Sequence, residues 1–179
     1  MLKKILIVLA VIVIIFIGLA AMQPSEFRVV RSGVIPAPAP EVFEQVNNFH
    51  NWEAWSPWVG IDPAMKQTYE GPPAGTGAIY KWSGNSEVGE GVMTITESHP
   101  YDLVRIRLDF IKPFTTTNTA EFTFEPKGEQ TMVTWSMEGK NNFIAKAISM
   151  FIDMDKMVGG NFEKGLANLK TITASAAGN

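Results

Sequence analysis

Residues 103–110 (LVRIRLDF) set Val104, Ile106, Leu108 and Phe110 on one side of an extended chain, and Arg105, Arg107 and Asp109 on the other. Successive side chains of a β-strand point to opposite faces, so this pattern belongs to a strand with one buried face and one wet face. The pattern recurs. In residues 116–125, Asn118, Ala120, Phe122 and Phe124 oppose Thr119, Glu121, Thr123 and Glu125. In residues 131–138, Val133, Trp135 and Met137 oppose Thr134, Ser136 and Glu138, and in residues 90–97, Gly91, Met93 and Ile95 oppose Val92, Thr94 and Thr96. Turn chemistry divides these strands at His99-Pro100-Tyr101-Asp102, Lys112-Pro113 and Pro126-Lys127-Gly128. Residues 27–35, 65–69 and 78–82 add further strands, with turns at GPPAGTG (71–77) and SGNSEVG (83–89). Short strands on tight connections predict an antiparallel meander. A sheet that is apolar on one face then needs a cover.

The cover is written at the end of the chain. Residues 142–172 contain no proline, and Ile144, Ile148, Phe151, Met154, Val158, Phe162, Leu166 and Leu169 recur at helical spacing. Gly159-Gly160 interrupts the stripe, as a kink or as the end of a first section, with Asn161 as a cap for a second section. The first half of this helix is apolar nearly all round, which predicts burial on more than one side or a face toward ligand or membrane. Between the first strand and the meander, PAPAP (36–40) leads into a short amphipathic helix at 41–48 with Val42, Phe43 and Val46 on one side. A second helical turn at 52–55 is expected to be capped by Asn51.

Residues 5–22 (ILIVLAVIVIIFIGLAAM) carry no charge. As a helix they span about 27 Å, close to the hydrocarbon thickness of a bilayer. An uncleaved anchor and a cleaved signal peptide both fit. Gly18-Leu19-Ala20 offers a small-x-small cleavage site, but the run exceeds the usual signal core. Lys3 and Lys4 before the run favour a soluble domain outside the cytoplasm, periplasmic or extracellular, while Arg28 and Arg31 after it weaken that orientation. The expected division is an anchor and linker at 1–25 and a soluble domain at 26–179.

Composition removes several functions. The chain has no cysteine, which excludes disulfides, thiolate nucleophiles and thiolate metal sites. A net charge of −3 without a basic block gives nucleic-acid binding no support. There is no G-x-S-x-G elbow, and the glycines of 71–77 lack the Lys-Ser/Thr of a phosphate loop. His50 and His99 are the only histidines and stand far apart, so no zinc site is expected; each reads as a surface residue. Glu90, Asp109, Glu121 and Glu125 fall on the wet face, where Arg105 and Arg107 can pair with them, whereas Glu97 falls on the apolar parity. No cofactor and no catalytic residue is expected.

The order of strand, two short helices, meander and long helix resembles the helix-grip fold of the START-like (SRPBCC) superfamily. The segments IPAPAPEVFEQVNNFHNWEAWSPW, YKWSGNSEVGEGVMTITE and DMDKMVGGNFEKGLANLK resemble its polyketide cyclase/dehydrase-like branch. The resemblance implies an α+β fold in which a curved antiparallel sheet of six to seven strands wraps a long C-terminal helix, with a hydrophobic cavity between them. Trp52 and Trp55 then read as wedges sealing one end of the sheet, and Trp58 as a rim residue. Tyr80, Trp82, Met93, Ile106, Asn118, Phe122, Trp135, Phe151, Met154 and Val158 are the expected cavity lining, with Asn118 and Tyr80 as the polar groups that orient a ligand. The expected partner is a hydrophobic small molecule or lipid, beside a membrane held through residues 5–22. Two other functions fit the family. One is a cyclase or dehydratase acting on an aromatic or polyketide-like substrate, and the other is a protein-interaction module whose cavity is filled by its own side chains.

Overall fold

A computed structural model describes residues 1–176; residues 177–179 of the expected soluble domain lie outside the described residues. Seven strands form one antiparallel sheet: β1 (Glu26–Ile35), β2 (Lys66–Glu70), β3 (Ile79–Ser83), β4 (Glu90–His99), β5 (Leu103–Lys112), β6 (Thr116–Lys127) and β7 (Gln130–Lys140). Their order across the sheet is β1-β7-β6-β5-β4-β3-β2. Strands β2 to β7 are a meander, and β1 returns to pair with β7, so the sheet is the expected one.

Register follows the alternation. Paired residues of neighbouring strands share a face. One row runs across all seven strands through Tyr69, Tyr80, Met93, Leu108, Asn118, Gly139 and Phe27. The next row on that face holds Ile95, Ile106, Ala120, Met137 and Val29, and the one after it holds Val104, Phe122, Trp135 and Arg31. Of these, Val29, Ile95, Ile106, Val104 and Phe122 are fully buried. The opposite face carries ion pairs between Arg105 and Glu121 (2.9 Å) and between Arg107 and Asp109 (2.8 Å). The first is half-buried and the second more open to solvent, and such surface pairs carry small energetic weight.

One residue escapes the parity. A bulge between Ile95 and Glu97 shifts the register of β4, so Glu97 pairs with Arg105 and not with the apolar face. Its carboxylate contacts both Arg105 and His99. An extra residue in one strand turns the side chains that follow to the other face.

Pro40 stands in the first turn of α2 (Ala39–Asn47), which buries Ala39, Val42, Phe43 and Val46. A 3-10 helix, Phe49–Ala54, follows. Asn48 caps it, its side chain accepting from the His50 amide at 3.0 Å. Asn51, the expected cap, lies inside the helix and donates instead to the Glu44 carbonyl at 3.1 Å.

The C-terminal segment is two helices, α3 (Phe143–Ser149) and α4 (Met154–Ala176), and the break is not at Gly159-Gly160, which lie within α4. Two polar caps set it. The Asn142 side chain accepts from the Ala145 amide at 2.9 Å, and the Asp153 side chain accepts from the Lys156 amide at 3.0 Å. An acceptor at a helix start satisfies an amide that has no partner within the helix, and this fixes where α4 begins. Asn161 therefore sits mid-helix and caps nothing, its side chain donating to the Met157 carbonyl at 3.3 Å. Only the α4 part of the apolar stripe is deeply buried, at Phe162, Leu166 and Leu169.

The N-terminal run is α1 (Leu2–Ala21), the one helix among the described residues long and apolar enough to cross a membrane. Both an anchor and a signal sequence satisfy that description. Most of its large side chains are exposed.

Candidate functional site

Five neighbouring rings surround Trp135, with Trp52 the most distant at 6.3 Å. Phe122 stacks at 4.6 Å on one side and Phe162 of α4 at 4.0 Å, nearly parallel, on the other. Trp55 and Trp58 meet its plane edge-on at 5.7 Å each. Trp52 and Trp55 bury their rings and donate their indole N–H groups to the carbonyls of Val46 (2.9 Å) and Gln45 (3.0 Å). They seal this end of the sheet, as the sequence suggests. Under α4 the interior is therefore packed with rings.

Arg31 holds α4 over this packing. It lies on the same row as Trp135, an apolar face, and its guanidinium donates to the Asp155 carboxylate (2.9 and 3.1 Å) and to Glu163 (2.6 Å). Gly159 makes room for it, because a Cβ there would lie 2.0 Å from an Arg31 nitrogen. The hydrogen bond from Arg31 holds the Asp155 carboxyl below its ordinary value. A depressed carboxyl pKa contributes stability that is complete above the unfolded value of about 3.9 and is lost as pH falls through the lower folded value. We expect the urea midpoint of the protein to drop through that window. Asp155→Asn should lower the midpoint at neutral pH and flatten its acid dependence; an unaltered acid limb would assign the loss to other carboxylates.

The other half of the apolar face differs. α4 packs chiefly on β1 and α2, away from β3 to β5. Over β3 to β6 the floor is Tyr80, Met93, Leu108 and Asn118, with Trp82 and Phe110 one step along; Trp82 and Phe110 meet edge-to-face at 5.8 Å. Met93 and Phe110 are only partly buried. The connection at 56–65 crosses nearby. Trp58 and Met65 pack on the core from it, and its Asp62 accepts from the Asn85 amide at 2.7 Å.

Among the described residues, two buried side-chain polar atoms have no partner: Asn118 Oδ1 and Trp135 Nε1. Buried polar groups are nearly always satisfied, so each stands out. Asn118 Oδ1 sits over Gly139, where a Cβ would lie 2.1 Å away, so glycine is required opposite the amide. Tyr80 is three strands from Asn118, about 14 Å at ordinary strand spacing. Burial, with smaller effects from Tyr69 and Glu53, pushes the Tyr80 phenol well above its ordinary pKa, so it stays a neutral hydrogen-bonding group. The row thus has an amide near one end, a phenol near the other, and Met93 and Leu108 between them.

Of the expected lining, Tyr80, Trp82, Met93 and Asn118 come together on this floor. Ile106 and Phe122 are fully buried in the two rows next to this floor, Phe122 against Trp52 and Trp55. Met154 and Val158 occupy the first turns of α4, both partly buried. Phe151 is elsewhere: it is 77% exposed in the break between α3 and α4, and stacks on Phe16 of α1 at 6.3 Å. Leu108 and Phe110 belong to the floor by register, and the alternation of residues 103–110 already marked them. Arg31 was legible too, as a charge on the apolar parity of FRVVRSGVI. His50 is exposed and stacks on Tyr69 at 4.0 Å, beside an open cleft of about 260 Å³ that Pro72, Pro73 and Ile79 also line.

A one-sided antiparallel sheet packed against a long C-terminal helix, with an apolar floor beside it, defines a helix-grip domain. Residues 26–173 match the polyketide cyclase / dehydrase and lipid transport family, and the chain belongs to it. Protein CV1439 from Chromobacterium violaceum is 14% identical with a TM-score of 0.59, covering 84% of this chain and 98% of that one. A protein from Nitrosospira multiformis is 19% identical with a TM-score of 0.60, covering 86% and 100%. The Aha1 dimer of Colwellia psychrerythraea is 16% identical with a TM-score of 0.57, covering 80% and 93%. Identities this low carry the fold alone. No curated protein matches the chain in sequence.

Proposed function

We propose that the chain is a membrane-anchored binding protein for a hydrophobic small molecule or lipid, which lies along the Tyr80–Met93–Leu108–Asn118 floor. The observation that carries this reading is the partnerless Asn118 Oδ1, buried near one end of the Tyr80–Met93–Leu108–Asn118 row. An acceptor without a donor costs about 1–3 kcal/mol in the empty protein. A ligand with a hydroxyl or another donor at one end recovers that cost while its apolar body covers Met93 and Leu108. The supporting features are the family, the neutral Tyr80 phenol across the floor, and α1, which as an anchor keeps the site beside a source of apolar ligands. On this reading Lys3 and Lys4 stay in the cytoplasm and the domain lies outside it.

The ring packing around Trp135 favours a second reading, a protein-interaction module with a filled interior. Native mass spectrometry of the full chain, released from lipid nanodiscs, separates the two. The expected result is a retained small mass, freed by organic extraction and weakened in Tyr80→Ala and Trp82→Ala. A clean apo mass that takes up no sterol, fatty acid or quinone rejects the binding protein and favours the module.

A further inference from the structure

The segment from α3 to the start of α4 leaves Phe143, Ile144, Phe151, Ile152 and Met157 exposed. Such a concentration of large apolar side chains on one short segment marks a contact surface. What covers it follows from where it is tied. The Asn141 amide donates to the Ser25 carbonyl (2.9 Å), the Asn141 side chain donates to the Pro24 carbonyl (3.2 Å), and Lys146 donates to the Ser25 hydroxyl (2.8 Å). These bonds bind the start of α3 to the four-residue linker, Met22 to Ser25, that leaves α1. Beyond the linker, Phe151 stacks on Phe16. Phe16 stands five residues before Ala21, the last residue of α1, or about 7.5 Å down the helix axis. If α1 spans a bilayer, a ring against Phe16 lies below the level at which the chain leaves the hydrocarbon. Residues 140–157 carry Lys140, Lys146 and Lys156 against Asp153 and Asp155, a net charge of +1, and the part before residue 153 is basic only, which suits anionic headgroups at that depth.

We infer that α3 and the turn to α4 seat in the lipid leaflet around the C-terminal end of α1, so that the partner of this apolar surface is the bilayer itself. The inference rests on the anchor reading of α1. It also bears on the binding floor. Gly139, beside Asn118 in the row, is four residues before α3, and Phe27, on its other side, is two residues after Ser25. Both connections to the seat leave from the Asn118 end of the row, which sets that end toward the leaflet.

The chain has no cysteine, so single-cysteine variants of the full-length protein can carry an environment-sensitive nitrobenzoxadiazole probe. Ile144→Cys and Ile152→Cys test the seat, Ile12→Cys tests the anchor, and Glu125→Cys on the wet face is the aqueous control. Each is reconstituted in phosphatidylcholine–phosphatidylglycerol vesicles and quenched either by doxyl-labelled lipid or by iodide. The seat requires blue-shifted emission at residues 144 and 152, quenched by doxyl lipid as at residue 12 and protected from iodide. If residues 144 and 152 follow residue 125 while residue 12 stays lipid-quenched, the seat is refuted and the anchor stands. If residue 12 is also open to iodide, the anchor reading falls and the seat falls with it.

Discussion

Replacing Trp135 with alanine is expected to lower the free energy of unfolding by about 3–5 kcal/mol, the range for removing a buried aromatic ring. Trp135 touches Phe122, Phe162, Trp52, Trp55 and Trp58, which come from β6, α4, the 3-10 helix and the connection after it, so its loss uncouples the sheet from both of its covers. Phe162→Ala should cost a similar amount. The two losses should not add, because the rings stack at 4.0 Å and each substitution removes the same contact. Trp135→Phe is the sharper comparison. It keeps a ring between Phe122 and Phe162 and removes an indole N–H that has no partner. Relief of that unsatisfied donor offsets part of the lost area, so the destabilisation should be well below that of alanine. Urea titration of the three variants in mild detergent measures the order. A phenylalanine variant as unstable as the alanine variant would mean that the N–H is not a liability and that ring volume alone decides.

The sheet was legible because its strands obey a period of two with few exceptions. Val104, Ile106, Leu108 and Phe110 needed no structure to be placed on one face, and the seven-strand row through Asn118 follows from that parity once the register is known. The failures are local, and each has a physical cause. The bulge after Ile95 is a one-residue insertion that periodicity cannot reveal, so Glu97 looked inward when it pairs with Arg105 outside. The helix break was assigned to Gly159-Gly160 because glycine is the weaker helix former. Asp153 settled it instead, since a side chain that caps an amide starts a new helix even inside an apolar run. Glycine at 159 serves packing against Arg31.

The candidate site was legible in part for the same reason. Strand parity supplied Tyr80, Trp82, Met93 and Asn118. Helical periodicity was a poorer guide, because it says that a face is apolar and not what covers it. Phe151 belongs to the same stripe as Phe162, yet one stacks on Phe16 and the other on Trp135. The distinction depends on a helix more than a hundred residues away in the chain, and no local pattern encodes it. Four of the five tryptophans divide in a similar way. Trp52, Trp55 and Trp82 satisfy their indole groups on nearby carbonyls, while Trp135 does not. Composition alone makes them equivalent.

Asn118→Leu should separate stability from binding, and the signs should be opposite. Leucine has the branched shape of asparagine, is bulkier, and places beside Gly139 atoms that need no partner. Removing a buried acceptor that has none should therefore leave the protein as stable as before or raise its stability by about 1–3 kcal/mol. The same substitution deletes the group proposed to accept a hydrogen bond from the ligand. A lost hydrogen bond to a buried neutral group of about 0.5–1.5 kcal/mol corresponds to a roughly twofold to tenfold weaker affinity. Asn118→Ala would confuse the two effects, because the space it leaves is itself destabilising. The pairing of a stability gain with a binding loss is what a binding group held at the expense of the empty fold produces. A leucine variant destabilised by more than its extra bulk can cost, about 1–3 kcal/mol, would show that the amide is satisfied in the folded protein and has no need of a ligand. Unchanged stability with unchanged retention of the extracted mass would remove Asn118 from the site and leave Tyr80 as the polar group to test.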